Sequence, residues 1–148
     1  KKCITFSPTV KMAREIAFGK VYAGKTSKKE GEKVLEEFIK LDKGVLNSSK
    51  KIDEGFDCPD VSVGIILGQN SNLIQKSQRI GRAIRKFEDK KSEIFTLVIN
   101  GTVETEWFRR STKSKSFITI YESDLLNLLN GDEIIPIKNK ETKMIVQF

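Results

Sequence analysis

The run Gln78-Arg79-Ile80-Gly81-Arg82-Ala83-Ile84-Arg85 concentrates the chemistry of this chain. At about 100° per residue on a helix, Gln78, Arg82 and Arg85 fall within roughly 60° of one another. Leu73, Ser77, Ile80 and Ile84 gather on the other side, where they can face a sheet, and Gly81 allows close backbone approach. Two guanidiniums aimed from one rigid face suit a γ-phosphate, whose charge shifts as it is transferred. The plainer reading of the same residues is a solvated basic face or a contact to a phosphate backbone.

A second pattern matches formally and fails on context. Gly19 to Thr26 satisfies GxxxxGK[ST], the phosphate-binding P-loop, which needs a buried strand before it and a loop that curls around phosphate. Here the preceding residues have helical period and include Lys11, Arg14 and Glu15. Val21 and Tyr22 suit a strand better than a tight nest. No apolar strand ending in an acidic pair follows to hold magnesium. The segment reads as a helix end, a short strand and an N-cap turn.

Composition narrows the rest. Twenty-seven Lys and Arg against 20 Asp and Glu leave a net charge of +7 in 148 residues, with a pI near 9.4, which points to a polyanionic partner. The chain has no His, so His-based triads and His general bases are excluded. Cys3 and Cys58 form no CxxC pair, which argues against zinc sites and disulfide scaffolds and for a reduced, cytoplasmic setting. No apolar run approaches the roughly 20 residues of a membrane span, and no metal site is expected in the chain. Nine Phe, one Trp and two Tyr supply large residues for one core in one domain. The chain opens on Lys1 rather than Met and runs straight into Cys3-Ile4-Thr5-Phe6, so it reads as a piece of something longer.

The elements that must position these residues follow from period. Strands are expected at 3–6, 21–23, 44–46, 61–67 and 94–99. A helix is expected from Thr9 to Phe18, with Met12, Ala13, Ile16 and Ala17 on one face. Ser27 caps a second helix (Lys28 to Lys40), with Glu30 placed for a capping box. Residues 47–60 read as polar and turn-rich, and 72–85 as a helix. Beyond Gly101 come a short helix around Trp107, a strand at 117–121, a helix at 123–129 and a hairpin around Lys138-Asn139-Lys140. Strands alternating with helices predict an α/β fold with an open, mostly parallel sheet flanked by helices.

In this order the chain resembles the C-terminal RecA-like lobe of superfamily 2 helicases. Ser49 through Asp57, with Gly55-Phe56-Asp57-Cys58-Pro59, is similar to helicase motif V, and Gln78-x-x-Gly81-Arg82-x-x-Arg85 to motif VI. Ile4-Thr5-Phe6-Ser7 is similar to motif IV, and Tyr22 to Thr26 with its charged helix to the next strand and helix. The resemblance covers about residues 2–100, a core of about 2–101 with additions over 102–148. Glu54-Gly55-Phe56-Asp57 and Arg79-Ile80-Gly81-Arg82 are most similar to repair, recombination and restriction-type helicases, bacterial and phage ones included. Gly31 departs from the family, whose members often carry Arg there.

By position, the resemblance makes Arg82 and Arg85 the arginine fingers and Gln78 the opening residue of motif VI. It gives Asp57 the ribose hydroxyl, Gly55 a close approach to the nucleotide, Ser49 a nucleic-acid backbone contact, and Ser7 a phosphate in the motif IV region. Taken locally, Asp57 could equally form an Asx-turn and Ser49 a helix cap. The resemblance implies ATP with Mg2+, the metal held mainly by an N-terminal lobe absent from this chain, and a DNA strand, or failing that RNA. The competing readings are a non-catalytic nucleic-acid-binding module and a small P-loop phosphotransferase. Arg109, Arg110, Lys113 and Lys115, with Lys86, Lys90 and Lys91, either follow a strand or are simply solvated. Trp107 is read as packing for the C-terminal additions.

Overall fold

The structure is a computed structural model that describes residues 1–24, 27–49, 60–68, 93–99, 101–111, 118–120 and 145–147, with Asp124, Asn127 and Asn130. In chain order these residues form β1 (Lys2–Phe6), α1 (Val10–Glu15), β2 (Lys20–Ala23), α2 (Lys28–Ile39), β3 (Gly44–Ser49), β4 (Val61–Leu67) and β5 (Glu93–Leu97). Then come α3 (Val103–Ser111), β6 (Ile118–Thr119) and β7 (Ile145–Gln147). The strands make one sheet in the order β2-β3-β1-β4-β5-β7-β6. The first five are mutually parallel, and β7 runs antiparallel to both β5 and β6. The expected open α/β sheet is what forms.

Side chains alternate across a strand, so each strand presents two different sets of residues. On one face Ile4 and Phe6 of β1, Leu46 of β3, Ile66 of β4 and Ile94 of β5 pack with Phe38 of α2, joined by Tyr22, Val34 and Leu35. Phe38 is wholly buried there. The helix that supplies it starts as the sequence predicts. The Glu30 amide donates to the Ser27 hydroxyl at 3.2 Å, and that hydroxyl donates to the Glu30 carboxylate at 3.1 Å. Lys20 and Glu37 pair across the outer edge, tying β2 to α2. The Lys20 hydrogen bond and charge hold the Glu37 carboxyl below its usual range.

Two expectations are corrected. The first helix ends at Glu15 rather than Phe18, because Ile16 is already extended and the chain turns through Gly19 at φ +89. A Cβ at Gly19 would stand 2.6 Å from the Val45 carbonyl oxygen, so only glycine allows the turn to lie against β3. Of the four residues expected on one face of this helix, only Ala13 is buried. The third strand extends through Asn47, Ser48 and Ser49, which were expected to open a turn-rich loop. All three are buried. The expected helix over 72–85 and the turn at Lys138-Asn139-Lys140 lie outside the described residues.

Candidate functional site

Five parallel strands place their carboxyl ends along one edge of the sheet. From β1 the chain turns to β2 and β3 on one side, then crosses to β4 and β5 on the other. In open α/β sheets this reversal point, at the carboxyl edge, is where ligands bind. Ser7 follows β1 there, Ser49 closes β3, and Gly68 follows β4. The Ser7 amide donates to the Ser48 carbonyl at 2.8 Å, so the β1–β3 ladder continues one residue past β1.

Ser7 and Ser49 are each 1% exposed, and neither hydroxyl has a hydrogen-bond partner among the described residues. A buried polar group left unpaired costs about 1–3 kcal/mol. Both of these unmet hydroxyls lie at the carboxyl edge, one just after β1 and the other at the end of β3. Beside them, a Cβ on Gly68 would stand 3.3 Å from Pro8 Cγ and 3.5 Å from Glu104 Oε1, so the exits of β1 and β4 meet the head of α3 closely. That helix is held to the end of β5. The Ile99 amide donates to Glu104 at 3.3 Å, the Glu104 amide donates to the Thr102 hydroxyl at 3.3 Å, and that hydroxyl donates to the Ile99 carbonyl at 2.8 Å.

Directly beneath the serines, Thr5 and Asn47 face each other in register across β1 and β3. Thr5 Oγ1 donates to Asn47 Oδ1 at 2.7 Å, and Asn47 Nδ2 donates to the Phe18 carbonyl at 2.6 Å. Sequence reasoning singled out neither residue. The alternation Cys3, Thr5, Ser7 against Ile4, Phe6 carried the signal, since it marks one face of β1 as polar. Burial pushes the Cys3 thiol, on the same face, up to about 11, which keeps it neutral and unreactive at ordinary pH.

Of the residues expected to act, the structure brings Ser7 and Ser49 to one edge. Gln78, Arg82, Arg85, Gly55 and Asp57 lie outside the described residues, as do Lys25 and Thr26 of the P-loop pattern. The middle of that pattern, Lys20–Ala23, is an outer strand of the sheet, as the refusal of the P-loop requires. Trp107 is half-buried on α3 beside the buried Phe108, and Arg109 and Arg110 continue the same helix. Among the described residues, no group of His, Cys, Asp or Glu could hold a metal ion, and no helix is long and apolar enough to cross a membrane.

A cavity of about 420 Å³ lies at the opposite, amino edge, between Lys2, Leu41, Asp42 and Asp60. Its buried lysine is already engaged. Lys2 Nζ donates to the Ile39 carbonyl at 2.7 Å, lies 3.6 Å from Asp60 Oδ2, and sits over the Phe38 ring at 5.8 Å. Lys2 closes the end of α2, and the cavity belongs to the packing rather than to the reactive edge.

Comparison with known proteins agrees with this geometry. The model of the helicase conserved C-terminal domain matches residues 1–87. The DNA 3'-5' translocase XPB2 of Sulfurisphaera tokodaii is 34% identical over 113 residues, covering 74% of this chain and 26% of that protein. Among solved structures, domain 2 of the DEAD-box helicase Mss116p bound to an RNA duplex superposes with a TM-score of 0.59 at 22% identity, covering 76% of this chain and 47% of the other. The C-terminal part of the Fun30 ATPase domain gives 0.60 at 19% identity, covering 88% and 47%. The SWI2/SNF2 ATPase core of Sulfolobus solfataricus gives 0.54 at 18%, covering 76% and 25%. The chain therefore spans about a quarter to a half of the length of these relatives.

Proposed function

Because this chain belongs to the helicase conserved C-terminal domain family, we propose that it is the second motor lobe of an ATP-dependent nucleic-acid translocase. The observation that carries the reading is the pair of buried, unpartnered hydroxyls at the carboxyl edge. Ser7 and Ser49 stand at the motif IV and motif V positions, where such a lobe holds a strand. A net charge of +7 supplies the sequence-independent attraction that such a strand requires. DNA is the favoured strand, since the sequence relative is a DNA translocase. The setting is cytoplasmic.

In this reading ATP is the substrate, bound between two lobes with Mg2+ held mainly by the other one. Gln78, Gly55 and Asp57 face the nucleotide from this side, and Arg82 and Arg85 meet the charge that develops as the γ-phosphoryl group leaves. Planar guanidiniums fit a phosphoryl group two bonds at a time, which Lys does not. Closure of the lobes completes the site, and opening after hydrolysis shifts the grip that Ser7 and Ser49 keep on the strand.

The test is the maximal ATPase rate of this lobe joined to its N-terminal partner, at saturating ATP and DNA. Arg82→Ala and Arg85→Ala should each lower that rate by about 10³–10⁵, with melting temperature unchanged. Nearly full maximal rate in both variants would remove the chemical centre of the proposal. A rate that recovers fully at high DNA concentration would instead assign the arginines to strand binding, as in the non-catalytic module.

A further inference from the structure

We propose that Thr5 and Asn47 are positioning residues for strand binding: their buried bridge between β1 and β3 fixes the two serine hydroxyls against a nucleic-acid phosphate. This rests on the reading of the carboxyl edge given above.

The geometry is a ladder on one face of the sheet. Thr5 and Asn47 are 4% and 0% exposed and face each other in register. Ser7 and Ser49 follow two residues later on each chain, so they lie on the same face, one step nearer the edge. The lower pair is saturated, with Thr5 donating to Asn47 and Asn47 donating to the Phe18 carbonyl. The upper pair is not.

A hydroxyl with no partner inside the protein has no bond of its own to hold it. Its place is set by the backbone beneath. A hydroxyl-to-phosphate contact requires donor and acceptor within about 2.5–3.0 Å, so errors of a few tenths of an ångström matter there. The backbone ladder sets the register of β1 and β3, and the 2.7 Å hydrogen bond adds a directional tie between their side chains that apolar neighbours would not supply. A slip of one residue would send Thr5 and Asn47 to opposite faces and break the bridge outright. The bridge is anchored on its far side as well, because Phe18 precedes the Gly19 turn that lies against Val45.

The other face shows what these positions hold when only packing is at stake. There Ile4 faces Leu46, both buried and apolar, one residue earlier in the same register, and Phe6 faces the buried Ser48 one residue later. Polar groups buried in place of such a pair add little net stability, and their best-attested use is to fix register.

The experiment measures binding of a labelled single-stranded DNA to the 148-residue chain, well below each variant's melting temperature. Thr5→Val keeps the shape and removes the donor. It should weaken binding roughly tenfold, the scale of one misplaced charge-assisted hydrogen bond. Thr5→Ser, which keeps the hydroxyl, should restore affinity. In a Ser7→Ala/Ser49→Ala background, Thr5→Val should cost nothing further, because the groups it positions are gone. If Thr5→Val does not fold, Thr5→Val/Asn47→Leu replaces both partners with apolar groups and should show the same loss.

Two results would overturn the inference while leaving the edge reading intact. One is wild-type affinity in Thr5→Val when the serine variant binds poorly, even if its melting temperature falls. The other is a Thr5→Val loss that adds in full to the serine loss. Wild-type affinity in the serine variant itself would instead overturn the reading of the edge, and the inference with it.

Discussion

The two faces of this sheet are built from the same strands and spend their residues differently. Toward α2, Ile4, Phe6, Leu46, Ile66 and Ile94 close around Phe38, with Ser48 the buried polar residue opposite Phe6. On the other face of β1 and β3 stand Thr5, Asn47, Ser7 and Ser49, all buried and all polar. The apolar face holds the fold by burial and close packing, where the gain grows with the area removed from water. The polar face gains little from burial, and its upper hydroxyls forgo hydrogen bonds altogether. The molecule keeps its stability on one face and its geometry on the other. Variants on one face should move melting temperature, and variants on the other should move ligand binding.

Substitutions on each face test this division. Phe38→Ala removes the centre of the apolar face and should cost about 3–5 kcal/mol, read as a large fall in the denaturation midpoint. The fraction that stays folded should bind DNA as before. Binding lost in proportion beyond unfolding would show that the two faces are not separable. Gly19→Ala comes next. Its φ of +89 and the 2.6 Å approach to the Val45 carbonyl leave no room for a methyl group, so strain of about 1–3 kcal/mol is expected. Because that turn anchors Asn47, this variant should also weaken binding, which separates it from Phe38→Ala.

Ser27→Ala, at the start of the helix that carries Phe38, should cost about 1 kcal/mol and leave binding untouched. The smallest expected effect concerns Cys3. Its thiol is raised to about 11 by burial, so the folded state resists ionisation. The stability linked to that thiol is complete below the ordinary thiol range and is lost as pH climbs toward 11. Alkylation of Cys3 near pH 8 should accordingly be much slower in the folded chain than in denaturant.

The apolar half of this account was legible in the sequence, and the polar half largely was not. The Ser27–Glu30 cap and the spacing of Val34, Leu35 and Phe38 specify α2 locally, and Val61 to Leu67 reads as a buried strand from its own residues. The end of β3 gives no such signal. Asn47-Ser48-Ser49 has the composition of a turn, and what keeps it in the sheet comes from Thr5 and Phe18, 42 and 29 residues away in sequence. The first helix misled for the same reason. Ile16 and Ala17 continue its apolar period, but the Phe18 carbonyl is taken by Asn47 and the chain turns at Gly19 instead. Ser7 and Ser49 could be singled out only through the helicase motifs, since nothing in their neighbours announces that two hydroxyls will be buried without partners. Once the strands are in register, the Thr5–Asn47 bridge beneath them follows.

The most direct test of the contrast is one pair of measurements on Ser7→Ala/Ser49→Ala: melting temperature and affinity for single-stranded DNA. Removing two buried hydroxyls that find no partner among the described residues relieves an unmet polar demand, so the melting temperature should hold or rise. If the carboxyl edge grips a strand, affinity should fall by about tenfold or more in the same variant. A variant that melts lower and binds DNA as tightly as the parent chain would contradict the account, because those serines would then serve the fold and not the strand.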